Sequence, residues 1–120
     1  MARYVDGFVI PIAKKNIPAY KRMATLASKV WKDHGALEYI ECVGDDLNVK
    51  YGLPFPRGIN AKPAETVVFA YIVYKSKAHR DRVNAKVMKD PRLAKSMESD
   101  KMPFDCERML FGGFQVLVSA

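Results

Sequence analysis

His34, Glu38, Glu41, Asp45 and Asp46 form the densest gathering of proton-carrying side chains in this sequence. An imidazole set among carboxylates can run general acid–base chemistry or hold a divalent cation. The spacing here crosses a helix end, a turn and a strand, so it matches no compact ligand motif, and no metal site is expected. Trp31 and Tyr39 flank the cluster and Arg57 follows it in a loop. Glu38 and Glu41 differ in parity, so a strand turns them to opposite faces. One glutamate must approach the helix that carries Trp31 and His34. The other lies near the loop and Arg57. Few residues separate Glu38 from His34 across Gly35, and these two are expected as the pocket pair. The candidate ligand-binding set is Trp31, His34, Glu38, Tyr39, Glu41 and Arg57.

The elements that must position these residues are legible from periodicity. Residues 66–74, TVVFAYIVY, hold no charge and are rich in β-branched and aromatic types, which favours a strand. Val67, Phe69, Tyr71 and Val73 alternate with Thr66, Val68, Ala70, Ile72 and Tyr74, so both faces are apolar. Residues 3–12 alternate as a first strand, with Asp6 among apolar neighbours, either near a strand end and wet or paired with a cation or hydroxyl. Tyr20, Met23, Ala24, Ala27, Val30, Trp31 and His34 recur at helical spacing after Asn16, which can cap that helix. Gly35 fits the left-handed position that ends it. Residues 37–43 read as a second strand and 44–63 as a long loop with Leu53, Phe55 and Ile59, expected to pack over a pocket or a partner subunit. Ser76 caps a second helix to about residue 89, Asp90-Pro91 starts a short one, and 99–106 is a turn region. Residues 108–118 form the last strand. Gly112-Gly113 within it predicts a bulge or a close backbone approach.

The order β-α-β-β-α-β predicts a single α+β domain over residues 1–120, a ferredoxin-like βαββαβ fold with a four-stranded antiparallel sheet and helices on one face. A strand that is apolar on both sides asks for a second cover. In so short a chain that cover is another copy, giving a homodimer paired sheet to sheet as a dimeric α+β barrel.

Composition bounds the function classes. The 120 residues carry 20 Lys+Arg against 13 Asp+Glu, a net charge of +7. The basic residues are spread along two helical stretches and read as solvated faces. FAYIVY at 69–74 imitates the aromatic end of an RNA-recognition signature. Its basic-glycine start is missing, and aromatics buried between sheets cannot stack on bases, so nucleic acid is not expected as a partner. No apolar run suggests a membrane span and the N-terminus does not read as a signal peptide, so a cytoplasmic protein is expected. Cys42 and Cys106 lack metal spacing and are expected as two free thiols.

YVDGFVIPI, the WKDHGALEYIECVGDD run, DRVNAKVMKDP, MPFD and RMLFGGF together make the chain resemble the YbaA-like family of small bacterial proteins. That family is a domain of unknown function in the dimeric α+β barrel superfamily. The resemblance implies the ferredoxin-like fold and the homodimer, and brings no catalytic residues. The wider superfamily includes cofactor-independent monooxygenases, haem-degrading enzymes and stress-response proteins. No nucleophile motif, phosphate loop or dinucleotide fingerprint is present, and no cofactor is expected. The expectation is a small-molecule pocket between sheet, first helix and the 44–63 loop, in an oxygenase-like or isomerase-like enzyme. The alternative is a non-catalytic ligand-binding or stress-related protein.

Overall fold

The uncharged run at the middle of the sequence becomes β3 (Glu65–Tyr74), and it occupies an interior place in the sheet. The computed structural model describes residues 2–96 and 102–120. β1 (Tyr4–Ala13) leads through a 3-10 turn at Lys14–Asn16 into α1 (Ile17–Asp33). β2 (Glu38–Val43), the short α2 (Phe55–Gly58), β3, α3 (Lys77–Met88), α4 (Pro91–Ser96), a 3-10 turn at Cys106–Arg108 and β4 (Leu110–Gln115) follow. All pairings are antiparallel, in the order β2-β3-β1-β4. This is the ferredoxin-like α+β arrangement that the element order predicts.

Helix α1 forms because its apolar residues recur every three or four positions. Tyr20, Ala24, Ala27 and Val30 are buried against the sheet. From β3 the same core takes Val68, Ala70, Ile72 and Tyr74, and from β1 it takes Ile10 and Ile12. Gly35 ends the α1 connection with φ +113°, a conformation that side chains avoid. Ser76 caps α3 by accepting from the His79 amide. Asp90 accepts from the Arg92 amide at the start of α4. Asn16, by contrast, makes no capping bond. Its amide donates to the Pro103 carbonyl at 3.0 Å, so it ties the helix entry to the segment before β4. The expected turn region at 99–106 lies partly outside the described residues.

β4 is shorter than the apolar run suggests because β1 runs out of partners: Gln115 already faces Tyr4. Its register is continuous, so Gly112-Gly113 is a close approach and not a bulge. A methyl group at Gly113 would sit within 2.7 Å of Tyr4 Cε2. The space left by that glycine seats the Tyr4 ring, and the Arg80 guanidinium lies 4.8 Å from the ring centroid. Arg80 also donates to Asp6 Oδ1 at 2.6 Å. Asp6 is 2% exposed, and the cation that pairs with it comes from α3.

The open face of the sheet is covered at one end only. The 44–63 loop folds back so that Phe55 meets Phe69 at 6.4 Å between ring centroids, and Val67 is left 3% exposed. Leu47 and Phe55 both approach Val67. Arg108 fastens the far end of the loop through Glu65 and the Asn60 carbonyl. Beyond it the register aligns Phe69, Val9 and Leu110 in one row and Val73, Val5 and Phe114 in another. Phe69 remains 46% and Phe114 61% exposed.

The Asp6–Arg80 pair generates a stability prediction. Asp6→Ala should cost about 3 kcal/mol, because Arg80 keeps little access to water and loses its buried partner. The double change Asp6→Ala with Arg80→Ala should cost less than the sum of the two single changes. Urea denaturation of the four proteins measures this, and strict additivity would remove the coupling claimed for the pair.

Candidate functional site

Between α1, α4, the segment before β4 and the helical face of the sheet lies a cavity of about 440 Å³. Its walls are mainly apolar. Phe8 and Ile10 come from β1, Ala24 and Ala27 from α1, and Ala70 and Ile72 from β3. Small alanines on two facing elements leave the space. Met23, Phe104, Met109 and Phe111 enclose one side, and Leu93 and Ala94 of α4 another.

Two carboxylates reach this apolar wall, and they differ in how they are compensated. Asp6 is neutralised by Arg80 and accepts a further bond from Asn84 at 3.4 Å. Asn84 Oδ1 in turn accepts from Trp31 Nε1 at 3.0 Å and from the Tyr74 hydroxyl at 3.2 Å. Among the described residues Glu41 has two donors, both neutral. Tyr20 donates to its Oε1 at 2.6 Å and Tyr39 to its Oε2 at 2.9 Å. Burial raises the Glu41 carboxyl above its ordinary value, and the two tyrosine hydrogen bonds pull it back only in part. Both tyrosines are pushed up, by burial first and by the neighbouring carboxylate next. They therefore stay protonated as donors. Tyr20, Tyr39 and Glu41 also line an outer groove between α1 and β2, of about 550 Å³. The carboxyl thus stands in a partition between an inner cavity and a groove on the surface.

The structure brings three of the six sequence-derived candidates to the cavity: Trp31, Tyr39 and Glu41. It disperses the others. The expected His34–Glu38 pair is not formed. His34 follows the last turn of α1 and pairs through Nε2 with Asp90 Oδ2 at 2.8 Å. Hydrogen bonds from Arg92 and from His34 hold the Asp90 carboxyl well below the usual range. Glu38 pairs in register with Val73 and faces the open side of the sheet. The parity rule held, but Glu41 is the inward residue, because Tyr39 and Glu41 stand opposite Ile72 and Ala70 on the helical face. Arg57 is exposed on α2 and makes no ion pair among the described residues. Asp45 and Asp46 are exposed. Among the described residues no group of three or more His, Cys, Asp or Glu is placed to hold a metal ion. The loop does not border the cavity; it covers the opposite face. Sequence reading placed Tyr20 on the apolar stripe of α1 and Asp6 on the first strand, and named neither as a cavity residue. Helical spacing had already put Tyr20 beside Ala24 and Ala27. Cys42 and Cys106 are free thiols, both exposed, and no described helix is long and apolar enough to cross a membrane.

The titration of Glu41 is a direct check. A carboxyl raised above 4.5 binds a proton more tightly in the folded state than in the unfolded chain. Its contribution to stability is therefore full at low pH and lost as pH rises from the ordinary value through the raised one. Carbon-13 titration of the Glu41 carboxyl should show the upward shift. Tyr20→Phe and Tyr39→Phe should each shift it further up, because each removes a bond to the charged form. A Glu41 that titrates at its ordinary value, or one that moves down in the tyrosine variants, contradicts the assignment.

Residues 3–106 match the model of a family described as "Protein of unknown function (DUF1428)". The chain is 40% identical over 116 residues to the uncharacterized protein YbaA of Escherichia coli strain K12, covering 97% of each chain. The same identity and coverage hold for YbaA of Shigella flexneri. Among solved structures, it is similar to a nipsnap family protein of unknown function from Agrobacterium tumefaciens, with TM-score 0.60 and 14% identity. That likeness covers 96% of this chain and 88% of the other. It is also similar to a dimeric ferredoxin-like protein from an uncultured marine organism, with TM-score 0.58, 12% identity and 100% of both chains covered. Likeness at such identities concerns the fold alone.

Proposed function

The chain belongs to the DUF1428 family, and from the cavity on its helical face we propose that it binds a small, largely apolar molecule there. One polar group of that molecule meets Glu41. The observation that carries this reading is a carboxyl hydrogen-bonded, among the described residues, by two tyrosine hydroxyls alone and set into a mainly apolar wall. A half-buried carboxyl held by hydroxyls alone is partly desolvated, and such groups cluster where proton transfer or ligand recognition is needed. Of the two enzymatic expectations, the isomerase-like one has a residue to support it. Glu41 can accept a proton from a bound molecule and return it, with Tyr20 and Tyr39 steadying the charge. The outer groove gives the carboxyl a second side through which to exchange protons. A non-catalytic binding protein uses the same cavity without the proton step.

The protein's single tryptophan, Trp31, lines the cavity and reports occupancy. Small aromatic and alicyclic compounds bearing one polar group should change its fluorescence and raise the melting temperature. Ala24→Leu, which fills the cavity, should abolish both responses. Ligands whose effects persist in the filled variant bind elsewhere and defeat this reading. Isotope exchange into a bound ketone, lost in Glu41→Gln, separates the enzymatic form from simple binding.

The same proposal includes a homodimer through the open sheet face. Phe69, Leu110 and Phe114 lie there, each more than two-fifths exposed, and they extend the apolar area that the 44–63 loop leaves uncovered. Sedimentation should give a dimer at micromolar concentration, burying above roughly 1,000 Å². Phe69→Asp should produce monomer or unfolded chain, because the new charge would be trapped between sheets. A stable wild-type monomer is the contrary result.

A further inference from the structure

Resting on the cavity reading above, we infer that the ligand class is a lipophilic organic cation, an amine or a quaternary ammonium with a compact apolar body. The cavity wall holds two carboxylates and, among the described residues, no lysine or arginine. Arg80 stands behind Asp6 and neutralises it. Among the described residues no cation pairs with Glu41: its partners are Tyr20 from α1 and Tyr39 from β2, both neutral. Lys21 lies along the outer groove and forms no ion pair with Glu41 among the described residues. An ionised Glu41 is therefore an open negative site inside an apolar chamber.

Aromatic rings surround it. Tyr39 packs against Trp31 with centroids 6.0 Å apart, and Tyr20 against Phe104 at 5.7 Å. Each ring that donates to Glu41 is thus one half of an aromatic pair in the cavity wall. Ring faces attract a desolvated cation, tryptophan most strongly. A carboxylate in a wall that also carries these four aromatic rings favours a cation over a neutral molecule of equal shape. It repels an anion. The chain's overall charge of +7 acts in the opposite direction at long range. Salt screens that repulsion beyond about 10 Å, whereas the contact with Glu41 is buried and local, so the local effect decides.

Trimethylphenylammonium and tert-butylbenzene have nearly the same shape and differ by one charge. Trp31 fluorescence titrated with each, at equal ionic strength, tests the inference. The cation should bind roughly tenfold more tightly or better. Its affinity should rise with pH as Glu41 ionises, since the probe itself does not titrate. Asp6, the other carboxylate of the wall, is bonded to Arg80 at 2.6 Å. Glu41→Gln should bring the two affinities together. Equal or tighter binding of tert-butylbenzene overturns the cation assignment and leaves the cavity reading standing. Failure of both probes, with no effect of Ala24→Leu on any ligand, overturns the two together.

Discussion

The Asp6–Arg80 ion pair is the interaction on which the other parts depend. A carboxylate 2% exposed on an interior strand is not tolerated without a cation. Arg80 reaches it only because α3 starts where it does, capped by Ser76 directly after β3. The guanidinium is held in turn over Tyr4, whose ring fits against β4 because residue 113 has no side chain. Asn84, one turn further along α3, joins Asp6 to Trp31 and Tyr74. One charged pair therefore fixes two strands, two helices and the position of a third strand. It also sets Trp31 at the cavity wall.

That arrangement explains why two carboxylates in one cavity behave differently. Asp6 is structural: its charge is answered at 2.6 Å and its second oxygen is occupied. Among the described residues Glu41 meets only hydroxyls, on a strand with less packed around it, and burial dominates its proton affinity. Two like groups thus stand in separate environments, one answered by a guanidinium and the other by hydroxyls.

Much of the fold was legible because it rests on local periodicity. The stripe of α1 and the alternation of 66–74 name their buried faces before any tertiary contact is known. Parity alone established that Glu38 and Glu41 diverge. Which of them turns inward was not legible, since Tyr39 and Val43 on one side and Ile40 and Cys42 on the other are comparably apolar. The answer lies in the register with β3, where Glu41 stands beside Ala70. The His34 partner was out of reach for a similar reason: Asp90 is remote in sequence and arrives only when α3 and α4 dock. Nearness across the Gly35 turn suggested Glu38, but a turn that reverses the chain need not bring adjacent side chains to one face. Asn16 shows the same limit, as its amide found a tertiary carbonyl in place of the helix end.

β2 is an outer strand, hydrogen-bonded to β3 and to no strand on its other side. Asp6 and Asn84, in contrast, belong to the part of the molecule held from several directions. The wall that carries Tyr39 and Glu41 thus stands on an edge strand, as Phe111 of β4 does on the other side. Peeling a single edge strand is a sub-global opening that leaves the interior pair of strands joined, at a free energy below that of complete unfolding. The cavity then has walls on edge strands and a floor on the interior strands β1 and β3.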